Sequence, residues 1–427
     1  MDATARIELV RELCSFDRRL AGTDAERRGA ARMAERLREA GHRVEIEPTY
    51  VHPQHTLVHA VHCLAGFAGS LIAVAAPAAG FALVLATAIS MYLDLNHRVY
   101  LLRYLFFRRA SQNVVASGPP TGAPARVILT AHLDAARTGA AFEPRRMRRS
   151  ARLAARIGLP LGPFRVLFWS LAALLPILGA RMAGLDSNLV AMLQLVPTFT
   201  LLLGAFALVD IRLSAASPGA NDNASGVATV ISLARVLGAE PPRNLDVWVV
   251  LTGGEECLQE GMRAFVRSRR KQLDRELTWF INVNAVGRGE HVRYLAAGGW
   301  VVTHDMDPRL LQLCAAIAEA DHERSDGQSG DRYRARPIVH GFAGDEMPAR
   351  LAGFAATSIA CTDEVGYSPG LHRPTDTPDQ LDPAALERAH GFLLGLIRQL
   401  DREAGRRLDA NTAADESSPP SGRPADR

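Results

Sequence analysis

Five cysteines are spread over 427 residues (Cys14, Cys63, Cys257, Cys314 and Cys361), and no two of them form a CxxC pair. That pattern argues against a disulfide framework and against a cysteine zinc site, and it suits a reducing compartment. The opening MDATARIELV lacks an apolar stretch, so no cleavable signal peptide is expected. A strong excess of one charge is also missing. The 49 Lys and Arg against 45 Asp and Glu leave +4, too little for a nucleic-acid footprint over the whole chain. Aromatic residues are sparse at 6%, yet 48% apolar residues exclude a disordered chain and allow a large core. The length fits two to three units, or one large domain carrying insertions. Mean hydropathy near zero is high for a chain with 22% charged residues. The average therefore hides two populations, a polar domain and very apolar segments.

The apolar population lies in long charge-free runs. Residues 56–93 contain no Asp, Glu, Lys or Arg, and Pro77-Ala-Ala-Gly80 interrupts them near the middle. Two helices of about 16–20 residues joined by that turn would each match a hydrocarbon core of ~30 Å. Residues 166–180 and 187–209 are again charge-free, separated by a polar turn from Arg181 to Asp186. Pro176 and Pro197 are expected to kink these two helices. The reading is two transmembrane hairpins, residues 56–95 and 164–209, with buried or interfacial helical hairpins as the bland alternative. Arginine supplies a direction. From Asp94 to Arg165 there are 13 Arg and 3 acidic residues, a local +10 that leaves −6 for the remainder. Arg98, Arg103, Arg108 and Arg109 follow the first hairpin, and Arg145, Arg146, Arg148, Arg149, Arg152, Arg156 and Arg165 precede the second. Positive charge stays on the cytoplasmic side, so the termini and the polar domain are expected there, in a multi-pass membrane protein. The basic flanks also suit anionic headgroups of a lipid bilayer. Because they hug the apolar segments, nucleic acid is not expected as a partner.

In the polar remainder, strand and helix signals alternate. Thr23 and Glu26 form a capping box for a helix over residues 24–40, and Gly41 stops it. Strands are expected at residues 43–47, 111–117, 126–131, 246–251, 279–283, 292–296 and 356–361, and helices at 223–237, 258–269, 308–320 and 383–401. This alternation predicts an α/β fold, a three-layer sandwich around a mixed, mostly parallel sheet. Residues 1–55, 96–163 and 210–401 together form one domain, with the helical hairpins inserted in it. Residues 402–427, rich in Pro, Ser, Asp and Arg, are expected to form a disordered tail.

Polar groups cluster at the C-terminal ends of these strands, where open α/β sheets place ligand sites. Val127-Ile-Leu-Thr-Ala-His132-Leu-Asp134 feeds out a His and, two residues on, an Asp. The pair could be a structural hydrogen bond, or Asp134 could orient a ligand imidazole. In Pro218-Gly-Ala-Asn-Asp222-Asn-Ala-Ser-Gly226, Asp222 is either a helix N-cap or a metal ligand. In Val247-Trp-Val-Val-Leu-Thr-Gly253-Gly-Glu255-Glu256, a buried strand ends in two glycines and two adjacent carboxylates. Neighbouring side chains diverge there, so one Glu can hold a metal while the other faces the metal's water. Finally, Tyr367-Ser-Pro-Gly-Leu-His372-Arg-Pro-Thr-Asp376 is a polar loop with His372 as a candidate ligand.

Taken together and in this order, the four segments resemble the family of zinc aminopeptidases that includes bacterial leucyl aminopeptidases, glutamate carboxypeptidase and glutaminyl cyclases. Arg19-Leu-Ala-Gly22-Thr23 with its helix, and Gly344-Asp345 through Ser358, add to the likeness. It spans roughly residues 10–55, 110–140 and 215–400 and leaves the hairpins outside. The resemblance implies a zinc-exopeptidase-like fold in which Asp222 bridges two metals. Glu256 and His372 complete one site, and His132 belongs to the other. Glu255 is implied as general base, with Asp134 steadying His132. One position departs from the pattern. Asn282-Val-Asn284-Ala-Val-Gly287 puts Asn284 where the family has a ligand Asp. An amide oxygen coordinates without charge, so one tight zinc and one loose site are expected. The implied function is a membrane-anchored zinc metallopeptidase, an aminopeptidase acting on peptide substrates. The alternatives are a glutaminyl-cyclase-like acyltransferase at a single zinc, and an inactive peptidase-fold module that binds a partner.

Overall fold

The computed structural model describes residues 2–118, 122–324 and 331–417. Among these residues a single sheet of nine strands runs through the polar domain: β1 (Arg43–Val51), β2 (Arg109–Ser117), β3 (Ala125–His132), β4 (Leu245–Thr252), β5 (Thr278–Val283), β6 (His291–Gly298), β7 (His304–Asp305), β8 (Arg336–Val339) and β9 (Ala355–Thr362). Their spatial order is β1-β2-β4-β3-β5-β9-β6-β7, with β8 beside β6. The central strands β4, β3, β5 and β9 run parallel, and β1, β2 and β6 are antiparallel to their neighbours on that path. The sheet is therefore mixed, with a parallel centre.

Period-two alternation along the central strands divides the core into two faces. Val127, Leu129 and Ala131 of β3, with Val249 and Leu251 of β4, pack with the helices α1 (Ala3–Cys14), α2 (Asp24–Glu39), α8 (Ser225–Ala239), α10 (Pro308–Arg324) and α12 (Pro383–Ser417). Ile128, Val250 and Phe280 point the other way, onto α9 (Glu260–Arg269) and the region of α11 (Glu346–Leu351). This is the three-layer arrangement that the strand and helix signals imply.

The apolar runs form the helices α3 (His55–Ala75), α4 (Pro77–Leu95), α6 (Pro163–Met182) and α7 (Asn188–Leu213), preceded in the second case by α5 (Pro144–Ile157). All four of α3, α4, α6 and α7 are long and apolar enough to cross a membrane. They pack as one bundle through small residues and buried polar contacts. A Cβ at Gly80 would lie 2.4 Å from the carbonyl oxygen of Gly69, so α3 and α4 approach through glycine. Ser70 and Thr198 hydroxyls are 2.6 Å apart, and Gln194 Nε2 donates to the Ser70 carbonyl at 2.7 Å. Helices in an apolar medium associate through such contacts. The bundle core also contains Leu258 and Val301, which belong to loops of the polar domain.

Two expectations change. Residues 402–417, assigned to the disordered tail, continue α12, while residues 418–427 lie outside the described residues. Ala404 is fully buried and Glu403 pairs with Arg406 and Arg407 one turn on, so this stretch has both an apolar contact and helical charge pairs. Arg103, counted among the basic flank that follows the first hairpin, is fully buried. It bonds Asp94 of α4, the Cys257 carbonyl (3.0 Å) and Glu260 of α9 (3.1 Å).

Candidate metal centre

The C-terminal ends of β3, β4 and β5 converge on one pocket. Register places His132, the last residue of β3, opposite Thr252, the last of β4. Beyond Thr252 the chain turns through Gly253 and Gly254 into one short turn, Glu255–Cys257. Both glycines are required. A Cβ at Gly253 would meet Ser111 Oγ at 2.3 Å, and Gly254 has φ +68° with Val51 2.4 Å from where a Cβ would stand. Sharp reversal here aims both carboxylates back over the sheet edge.

Asp222 lies at the centre. Its Oδ1 is 3.3 Å from His132 Nε2, and its Oδ2 is 3.2 Å from His372 Nε2. Glu256 Oε1 lies 3.4 Å from the same His372 nitrogen, and Glu255 Oε2 is 4.0 Å from His132 Nε2. Two sets of donors are thereby close enough to share an ion: Asp222, Glu256 and His372, and His132, Glu255 and Glu256. Asp222 does not cap α8, whose N-cap is Ala224 without a side-chain bond. The adjacent Asn223 takes that work instead, its Oδ1 accepting from the amides of Gly226 and Ala285 at 3.1 Å each. Asp376 holds Asp222 in place by accepting the amides of Asn221 (2.8 Å) and Asp222 (3.1 Å).

Asp134 does more than steady His132, the role the resemblance implies. Its carboxylate accepts the amides of Glu255 (3.1 Å) and Glu256 (3.0 Å), clamping the loop that carries both carboxylates. The His132 Nδ1 is 3.0 Å from the Asp134 main-chain carbonyl and 3.6 Å from its carboxylate. Asp134 therefore orients His132 mainly through its backbone. Asn284 follows β5, and its Oδ1 is buried without a hydrogen-bond partner.

Electrostatics favour a cation. Burial opposes charge on His372, but Glu256 and Asp222 outweigh it and push the imidazole up to about 10. His132 is likewise held well above its ordinary value, with burial overcome by Glu255, Asp134 and Asp222. Asp222 is also buried, yet His132 and His372 hold it below the usual carboxylate range. Glu255 is driven upward, first by burial and then by Glu256, Asp345 and Asp134, against the pull of His132. A pocket that draws protons onto two imidazoles carries an excess of negative field, which a divalent ion satisfies. Two neutral-capable imidazoles, carboxylates and one unpartnered amide oxygen also make a nitrogen and oxygen donor set suited to zinc.

Three residues around the pocket escape sequence reasoning. Gln259 is almost fully buried and donates from Nε2 to Glu255 Oε1 (3.0 Å) and to the Ala343 carbonyl, while Trp300 Nε1 donates to its Oε1. Asp345 accepts from Thr252 Oγ1 and is pushed up to about 7, first by burial and also by Asp134 and Glu346. Glu26, read as half of a capping box, does bond the Gly22 amide, but it also reaches the Gly254 amide (3.2 Å) and Ser111. Burial, then Asp134, raises it to about 8. Only the position of Asp345, beside the Gly344-Asp345 likeness, offered a signal.

Residues 196–397 match Peptidase family M28. That match covers just under half of the chain. A probable leucine aminopeptidase of Arthroderma benhamiae is 26% identical over 194 residues, 43% of this chain and 48% of that protein. The chain thus spans about half the length of the curated relatives it matches. Among solved structures, a zinc aminopeptidase from Bacillus subtilis superposes with TM-score 0.53 at 14% identity, covering 93% of this chain and 94% of the other. A Bacteroides thetaiotaomicron glutaminyl cyclase bound to N-acetylhistamine gives TM-score 0.53 at 15% identity, covering 93% and 97%. Solved proteins with quite different named activities therefore share this architecture.

Proposed function

We propose that the protein is a membrane-anchored zinc metallopeptidase of the aminopeptidase type, hydrolysing N-terminal residues of peptides on the cytoplasmic side. The observation that carries this reading is the two-sided carboxylate of Asp222, with one oxygen toward His132 and the other toward His372. Asp222, Glu256 and His372 would hold one zinc, and His132 with the uncharged Asn284 a second, weaker one. Zinc, when bound, supplies Lewis acidity toward a carbonyl and lowers the pKa of water. Glu255 takes the proton from the attacking water and delivers it to the departing amine, a role that its raised proton affinity suits. Gln259 fixes the Glu255 carboxylate, and Asp134 fixes the loop beneath it.

Four apolar helices, their many exposed large side chains and the arginine-rich segments beside them support anchoring in a bilayer with the polar domain inside. The missing charge at Asn284 favours one second reading, acyl transfer of the glutaminyl-cyclase kind at a single zinc. Replacing Glu255 by Gln in detergent-purified protein tests the main reading with amino-acid amides. Loss of turnover by about 10²–10⁴-fold with zinc content unchanged is expected. Unchanged hydrolysis, or none in the parent protein, overturns it.

A further inference from the structure

Helix α5 has no buried residue, and along the chain it comes between His132 of the metal centre and helix α6 of the bundle. Arg145, Arg149, Arg152 and Arg156 recur at intervals that place them on one face, and none makes a salt bridge among the described residues. Leu153 and Ile157, four residues apart, lie beside that stripe about half exposed, and Leu159 follows at 61% exposure. An uncovered apolar strip next to an unpaired cationic one is the pattern of a helix lying in a membrane interface. The occupant suggested by charge is anionic, and continuity suggests a bilayer, because the apolar α6 begins four residues after Leu159.

The opposite end of α5 touches the site. Phe142, just before the helix, packs against His372 with ring centroids 4.3 Å apart and ring planes tilted by 51°. Arg148 donates to Asp363 at 2.8 Å and lies over the Tyr367 ring. Asp363 in turn accepts the amides of Val365 and Tyr367 in the loop that leads to His372.

We propose that α5 is a docking surface for anionic lipid, and that its seating on the headgroups holds Phe142 and the 363–372 loop against His372, so that the site works best on an anionic membrane. The inference rests on the membrane reading above. To test it, the full chain carrying Cys14→Ser and Leu153→Cys is labelled with an environment-sensitive fluorophore and placed in nanodiscs. The discs contain phosphatidylcholine alone, or with phosphatidylglycerol added. The expected result is a blue shift and several-fold brighter emission only with phosphatidylglycerol, reversed by high salt. The quadruple variant R145Q/R149Q/R152Q/R156Q loses the shift. Hydrolysis by the parent rises several-fold with phosphatidylglycerol, and hydrolysis by the variant stays at the phosphatidylcholine level, at equal zinc content. Emission that is the same in both lipids, in protein firmly retained in the discs, overturns this inference and leaves the membrane reading intact. A shift caused by soluble RNA and not by phosphatidylglycerol overturns it in favour of nucleic acid. A chain washed out of the discs by salt overturns the membrane reading as well.

Discussion

Glu255 and Glu256 are neighbours in sequence and face different histidines, Glu255 toward His132 and Glu256 toward His372. At this scale the legible residues were those whose chemistry is unusual for their place: carboxylates after a core strand, an Asp among glycines, a His closing a loop. Gln259, Glu26 and Asp376 were not legible as site residues, because each acts by hydrogen bonds to backbone or side chains that meet only in the fold. Asp134 shows the same limit, since its spacing to His132 carries no sign of the amides of Glu255 and Glu256 that it accepts. Asn284 offers the sharpest residue-level prediction. Replacing it by Asp would add a charge to the second site proposed for His132, and metal analysis of the purified variant should rise from about one zinc per chain toward two. An unchanged count would show that Asn284 does not limit the second site.

Elements matter through the way the first hairpin grips the polar domain. Asp94 at the end of α4 meets Arg103, which also bonds Glu260 at the start of α9, and Glu260 Oε1 is 2.8 Å from His52 Nδ1 just before α3. Both ends of the hairpin are thus tied to the segment that follows the Glu255–Glu256 turn, and the Cys257 carbonyl is held by the same guanidinium. The helices themselves were legible from charge-free length. This clamp was not, since an arginine after an apolar run reads equally well as a lipid-facing flank. Breaking a buried pair by removing one partner costs about 3–5 kcal/mol. Arg103→Met should therefore lower the thermal midpoint in detergent strongly, and a double variant that also carries Asp94→Leu should recover part of the loss. A midpoint equal to the parent's in the single variant would mean that the clamp holds nothing.

Over the whole molecule, the sheet and most of its helices followed from alternating patterns, while the edge strands β7 and β8, the sheet-packed helices α1 and α11 and the amphipathic α5 went unassigned. Stability of the polar domain should depend on acid through His390 of α12. Burial, with Arg6 nearby, depresses His390 to about 4. The folded protein keeps it neutral while the unfolded chain takes up a proton below about 6.5. Stability present above pH 6.5 is therefore lost as pH falls toward 4, by at most about 3 kcal/mol. His390→Leu should flatten that part of the midpoint-against-pH curve, and a parallel curve would exclude His390 as the cause. Topology has its own check. Reporters fused at residue 78 and at the C-terminus should fall on opposite sides of the membrane, and finding both on one side would overturn the proposed topology.

Chain order adds a consequence for synthesis. Asp222, Glu256 and His372 all lie C-terminal to α7, whereas His132 precedes the second hairpin. A ribosome must therefore finish both hairpins before any of that trio has been translated. The pocket around Asp222 therefore cannot assemble until the apolar helices have already been made, so that any activity proposed for it arises only after the chain has had the opportunity to reach its destination.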